Sequence, residues 1–322
     1  MNYRKLGRTG FEVSGIGHGL WGMSGWSGSS DQESLAALQL AVDLGCNFYD
    51  TAWAYGEGKS DGLLGEIMAR NPNQRLYAAS KIPPANDRWP ALPEYKYHDV
   101  FSPKHVFKYA DKIRQQLRTD TIDLLQFHVW DDGWTNEPDF RSTVEKLKHD
   151  GWIRYFGLSI NRWQAENGIK ALRTGLVDVV QVIYNIFDQS PEDELFPVCQ
   201  ELNVGVIARV PFDEGSLGGK MTLETRFPKD DWRSGYFGPE NLAKTIKRVD
   251  QLKEILPAGM TLPEMALRFI LSHPAVGTTI AGMRKLDHVR QNIASDSGPL
   301  DKPLLAELKK HRWDRTPQRW SD

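Results

Sequence analysis

The chain has 322 residues, of which 25% are charged and 40% hydrophobic, with a formal net charge of −2. That balance gives no reason to expect nucleic acid or an acidic membrane surface as partner, and no apolar run approaches the roughly 20 residues of a membrane-spanning helix. Two cysteines, Cys46 and Cys199, are too few for a disulfide framework, and the amino-terminal stretch lacks the apolar core of a signal peptide, so the expected compartment is the cytoplasm.

Taken in order, Tyr3–Leu6 and Phe11–Val13 flank Gly7 and Gly10 in the pattern of a small hairpin. Val13–Gly19 continues as a strand. The spacing of Leu35, Ala36, Leu38, Ala41 and Val42 predicts a helix over Asp31–Leu44, capped by Ser30 or Asp31. A strand at 47–51 leads to a helix over 60–70, and a strand at 76–81 to a long loop, 82–102, rich in Pro, Trp and Tyr. Pro103 stands at the first position of a helix that reaches Leu117. Strand 123–128 runs through a Trp- and Asp-rich loop into helix 139–149. Strand and helix alternate again at 153–160 and 163–174, and at 178–184 and 192–202. Strand 205–210 meets an irregular insertion, 211–238, before helices 240–255 and 262–272, strand 277–281 and helix 286–294. A tail carries helix 303–311 and an aromatic-basic end, Trp313 to Trp320. The central strands, such as Val179–Tyr184, are apolar without clean alternation, as strands covered on both faces are. No repeat or linker divides the chain. The expected architecture is one α/β domain over 1–322, a (β/α)8 TIM barrel with an N-terminal β-hairpin cap, enlarged βα loops and a C-terminal tail.

In such barrels the C-terminal ends of the strands form the active face. Three successive strands here end in Asp50, Lys81 and His128, and Tyr55 follows the first by five residues. Each alone reads as ordinary: a surface carboxylate, a solvated strand end, a core histidine, a packed aromatic. Together on one rim they suit acid–base chemistry. A free phenol has a pKa of about 10, and a nearby ammonium favours the phenolate. Lys81 can supply that ammonium, Asp50 can hold it, and His128 can orient an oxygen beside Tyr55. The constellation lacks a hydride source, which a nicotinamide cofactor would be.

The surrounding stretches resemble the aldo-keto reductase family along nearly the whole chain. The matching motifs are Gly45-Cys-Asn-Phe-Tyr-Asp-Thr-Ala-Trp-Ala-Tyr-Gly56, Ala79-Ser-Lys81, Asp123-Leu-Leu-Gln-Phe-His128, Gly157-Leu-Ser-Ile-Asn161, Gln181-Val-Ile-Tyr-Asn185 and Ile280-Ala-Gly-Met-Arg284. The resemblance implies that Asp50, Tyr55, Lys81 and His128 are a catalytic tetrad with Tyr55 as proton donor, that no metal takes part, and that NADP(H) binds across the barrel mouth. It implies cofactor contacts from Gly19 and Leu20, from Ser159, Asn161 and Gln181 at the nicotinamide, and from Val210, Phe212 and Leu217 in a loop around the pyrophosphate. On the adenosine side it implies Gly282, Met283, Arg284, His288, Gln291 and Asn292. The sequence departs from the family pattern at Ile160, which separates Ser159 from Asn161, and at Arg209, Ala281 and His288. Arg284 suits a 2′-phosphate, which favours NADP(H) over NAD(H).

Trp21, Trp53 and Trp130 are expected to line the substrate pocket, with Trp89, Trp134, Asp131, Asp132 and Arg88 in the same loops. Such a wall suits a sugar, an aromatic aldehyde or another small carbonyl or alcohol. Two motifs are decoys. Gly17–Gly22 matches G-x-G-x-x-G but opens no helix, and Gly56–Ser60 resembles a P-loop fragment without its first glycine. No paired His or Cys motif points to a metal. The expected function is NADP(H)-dependent interconversion of aldehydes or ketones, sugars included, with alcohols. The alternative is a cofactor-binding regulatory subunit resembling channel β-subunits. Oligomeric state and natural substrate stay open at this level.

Overall fold

The computed structural model describes residues 1–25, 28, 30–229 and 231–315; Trp320 lies outside them. β1 (Tyr3–Lys5) and β2 (Glu12–Ser14) form the antiparallel hairpin, with Tyr3 opposite Ser14. Eight parallel strands then close a barrel: β3 (Ile16–Gly19), β4 (Phe48–Asp50), β5 (Tyr77–Ile82), β6 (Ile122–Phe127), β7 (Ile153–Ser159), β8 (Val179–Ile183), β9 (Gly205–Arg209) and β10 (Val276–Gly282), with β10 returning to pair with β3. The single strand expected at 13–19 is two. Gly15 divides them, its N–H donating to Asn2 in the hairpin and its carbonyl accepting from Thr279 in the barrel.

Two apolar cores follow from this topology. Leu6, Phe11 and Val13 of the hairpin pack with Phe48, Ala79, Leu124, Val179, Ile207 and Ile280 inside the barrel, plugging its N-terminal end. At Gly205 a side chain would stand 2.8 Å from Leu6, so the close approach needs glycine there. The second core lies between the strands and the outer helices. Local signals set those helices. Ser30 and Glu33 form a reciprocal capping box for helix Asp31–Asp43, and Ser102 with Pro103 starts helix Pro103–Leu117.

The helix expected over 163–174 is only Ile169–Arg173. Trp163 takes a left-handed φ of 57°, and Asn167 is drawn off by bonds to Trp130 O (2.9 Å) and Asp132 N (2.8 Å). The 82–102 loop holds a short helix, Tyr97–Phe101, and the 211–238 insertion a 3-10 turn, Asp213–Gly218, and a helix, Arg233–Tyr236. The tail is tied to that insertion. Arg315 lies 2.8 Å from Asp213 and also bonds Asp188 and the Tyr236 hydroxyl, with all three charged side chains buried. Among the described residues no helix is long and apolar enough to cross a membrane.

His18, in the middle of β3, is completely buried, and burial pushes its imidazole down to about 4. The unfolded chain, with an ordinary histidine near 6.5, therefore takes up a proton before the folded chain does. The stability held by neutral His18 is full above about pH 6.5 and lost as pH falls toward about 4, a change of roughly 3 kcal/mol. Urea titrations across that window should show the loss in the native chain and a shallower one in His18→Leu; equal slopes would remove His18 from the explanation.

Candidate active site

β4 ends at Asp50, and the register sets Asp50 beside Gly19 of β3 and Ala79 of β5. Two residues on, Lys81 pairs in register with Gln126 of β6. The Lys81 ammonium thereby meets Asp50 Oδ1 at 2.6 Å and Thr51 O at 2.9 Å, with the Lys81 and Asp50 side chains 0% and 2% exposed. Asp50 Oδ2 accepts from Gln181 Nε2 at 2.7 Å and from Gln126 Nε2 at 3.5 Å. Asp50 is thus a buried hub reached from β5, β6 and β8. In the sequence Gln126 reads only as one polar residue inside an apolar strand; its bond to Asp50 exists only in the closed barrel.

Tyr55 arrives from the turn after β4. Gly56 holds that turn at φ 70°, and a side chain on it would stand 2.4 Å from Ser24 O. The Tyr55 ring has the Lys81 ammonium 5.4 Å from its centroid and the His128 ring 5.6 Å away, edge to face. His128 follows the last residue of β6. Its other side meets Trp89, centroid to centroid 4.5 Å at 87°. The four residues from three strands and a turn therefore converge at one point of the rim.

The electrostatics differ from the expectation in one respect. Burial, and then the charge of Asp50, raise the Tyr55 phenol well above its ordinary value, and the cation that opposes them is Arg209. Lys81 is itself paired with Asp50, and burial lowers it against that pairing. His128 is held far below the usual imidazole value by burial first and then by Lys81 and Arg209, so it is neutral. Asp61, bonded to Ser80 Oγ at 2.7 Å, is lifted to about 7 by burial. The site thus presents a protonated phenol and a neutral imidazole side by side over a buried ion pair. Both can donate to one oxygen, and the phenol can give up its proton.

The remaining expected residues fall into groups. Gly19 and Gly282 pair across β3 and β10 at the level of Asp50, and Leu20 donates its N–H to Asp50 O. Ser159 faces Gln181 in register, and the side-chain carbonyl of Gln181 has no partner among the described residues. Asn161 is engaged within the protein. Its amide is spent on Ala91 O (2.9 Å), Ala91 N (3.3 Å) and Gln164 (2.9 Å), tying down the 82–102 loop. Val210, at φ 57°, begins a turn that includes Phe212 and continues through Asp213 and Glu214, also at positive φ. Leu217 and Met283 are fully buried. Among the residues expected at the adenosine, Arg284 and Lys285, with Lys220, act on His288, holding it below its usual value after burial. Lys220 belongs to the far end of the 211–219 turn and is not legible in the sequence as a site residue, since only the fold brings it to 284–288. Gln291 is exposed and Asn292 is buried in helix Leu286–Ala294.

The tryptophans are redistributed. Trp130 is not a pocket wall: it is fully buried against Phe127, Trp134 and Phe140, and its Nε1 donates to Asp132. Asp132 also accepts from Lys170 N, and Asp131 from Gly133 N, so both serve loop structure. Trp53 is half-buried, edge-on to Tyr109 at 5.5 Å beneath the Lys112 ammonium. Trp21, 42% exposed, lies at the surface just after β3, and Trp89, 38% exposed, walls His128. Among the described residues no cluster of His, Cys, Asp and Glu is placed to hold a metal.

The model of the Aldo/keto reductase family matches residues 15–312. The uncharacterized oxidoreductase YqkF of Bacillus subtilis (strain 168) is 30% identical over 318 residues, covering 97% of this chain and 96% of its own. The NADH-specific methylglyoxal reductase of Escherichia coli (strain K12) is 26% identical, covering 94% and 97%. Among solved structures, a glycerol dehydrogenase from Gluconobacter oxydans superposes with a TM-score of 0.80 at 26% identity, over 99% of this chain and 98% of that one.

Proposed function

The chain belongs to the aldo/keto reductase family, and we propose that it is an NADP(H)-dependent oxidoreductase that interconverts small aldehydes or ketones with alcohols. The observation that carries the reading is the convergence of Tyr55, His128 and the Lys81–Asp50 pair on one point of the rim. When bound, the dinucleotide supplies the hydride. Tyr55 gives its phenolic proton to the carbonyl oxygen, and neutral His128 donates a hydrogen bond to that oxygen. Lys81 and Asp50 keep a fixed dipole beneath the ring, and Trp89 shields the His128 side from water. In the reverse direction Tyr55 accepts the alcohol proton.

The residues present fit a nicotinamide dinucleotide. The Gln181 side-chain carbonyl and Ser159 lie together for a carboxamide, and the strained 210–214 turn offers backbone groups at the mouth. Lys220, Arg284 and Lys285 gather positive charge around His288, suited to a phosphate. That gathering favours NADP(H), against the NADH named for the Escherichia coli relative. Arg284→Ala should weaken NADPH binding by about tenfold or more and leave NADH within about twofold, as loss of a charged hydrogen bond to a 2′-phosphate requires. Equal losses for the two, read by fluorescence titration, would contradict the assignment. Turnover itself is tested by following the near-ultraviolet absorbance of NADPH and NADH with aliphatic, aromatic and sugar carbonyls. Oxidation of either cofactor by any of them supports the reading. Binding of cofactor with no turnover across the panel would favour the regulatory alternative.

A further inference from the structure

Arg209 is the last residue of β9, beside Ile183 of β8 in register. Its Nη2 donates to Ile160 O at 3.0 Å, and Ile160 stands between Ser159 and Asn161 at the end of β7. Its Nε is buried and has no hydrogen-bond partner among the described residues. The next residue, Val210, is held in the left-handed region, a costly conformation for a β-branched side chain, and its carbonyl is bonded by Asn185 Nδ2 at 3.0 Å. The guanidinium is therefore fixed at the mouth.

Its charge is opposed only at a distance, by Glu214 and Asp50, each of which is already paired with another cation. Lys81 is paired with Asp50 and Arg162 with Glu214, but among the described residues no carboxylate pairs with Arg209. Its field reaches Tyr55, Lys81 and His128. Burial and the neighbouring Arg162 lower it to about 10 against the pull of Glu214 and Asp50, which still leaves it a cation at neutral pH. Lys81, Arg162 and Arg209 thus stand against Asp50 and Glu214, which leaves the mouth with an excess positive charge on the side where Ser159 and Gln181 lie.

Resting on the proposed cofactor role of this site, we infer that Arg209 makes it discriminate between redox states of the dinucleotide, holding the neutral reduced nicotinamide more tightly than the cationic oxidised ring. The phosphates are the same in both forms, so only the ring can respond to a charge placed near it. A fixed cation in a half-buried mouth repels the oxidised ring, and at intermediate dielectric that is worth roughly ten- to a hundredfold in affinity. Each tenfold raises the midpoint potential of the bound two-electron couple by about 30 mV. The same preference eases release of the oxidised cofactor after a reduction.

The test is equilibrium binding, read by quenching of tryptophan fluorescence, with NADPH, NADP⁺, NADH and NAD⁺ on the native chain, Arg209→Gln and Arg209→Lys. Glutamine keeps a donor for Ile160 O without the charge, and lysine keeps the charge. The native chain and Arg209→Lys should bind each reduced form about tenfold or more tighter than its oxidised form. In Arg209→Gln the ratio should fall toward one, chiefly by tighter binding of the oxidised form. If Arg209→Gln weakens both forms equally, the guanidinium serves the pyrophosphate and the inference is overturned. If it changes neither, the guanidinium serves something other than the cofactor, and the inference is overturned as well. Should the variants fail to fold, equal affinity for the two redox forms in the native chain overturns it alone. Failure of every dinucleotide to bind would instead remove the cofactor reading beneath it.

Discussion

Tyr55→Phe is expected to lower kcat for carbonyl reduction by about a thousandfold, with the Kd for NADPH changed by less than about twofold. Phenylalanine keeps the ring that packs edge to face with His128 and lies 5.4 Å from the Lys81 ammonium. It removes one O–H. A positioned acid of this kind contributes about a hundred- to ten-thousandfold, and Tyr55 is suited to that task because burial and Asp50 keep its proton on. Steady-state kinetics and fluorescence titration on one preparation separate the two effects. Retained turnover would remove the proton donor, and lost cofactor affinity with chemistry preserved would give Tyr55 another role.

Lys81→Met should cost about 3–5 kcal/mol of stability as well as activity. The substitution strips the counter-charge from a carboxylate whose side chain is 2% exposed, and a buried charge left alone is expensive. Adding Asp50→Asn removes that charge while keeping a carbonyl acceptor for Gln181 Nε2. The double variant should regain about 2 kcal/mol or more and remain inactive. Denaturation of the four chains forms a double-mutant cycle. Additive losses would mean that the two side chains do not act as a pair. Recovery of stability without recovery of activity places their functional role at the site rather than in the fold.

The barrel is legible in the sequence because strands covered on both faces are apolar throughout, so the polar residues Asp50, Lys81 and His128 stand out where each strand leaves cover. Tyr55 is legible from its distance to Asp50 and from the family motif. Positions set by long-range contacts are not. Trp130 lies only two residues beyond His128, yet it turns into the core formed by Phe127 and Phe140. Asn161 is used by Ala91, seventy positions away. The helix expected at 163–174 loses its first half to Asn167 bonding across to Trp130 and Asp132. Arg209 is visible as a departure from the family pattern, but the pairing of Lys81 with Asp50 and of Arg162 with Glu214, which leaves Arg209 as the third cation beside two carboxylates, exists only in the fold.

The most direct measurement follows the hydride. The best carbonyl of the turnover panel would be incubated with the native chain and a reduced dinucleotide carrying deuterium on the transferable position, and the alcohol analysed by mass spectrometry. One deuterium on the former carbonyl carbon, formed by the native chain and nearly absent with Tyr55→Phe, is the predicted result. Alcohol that carries no deuterium, or equal labelled product from both chains, would contradict a reaction in which the cofactor gives the hydride and Tyr55 the proton.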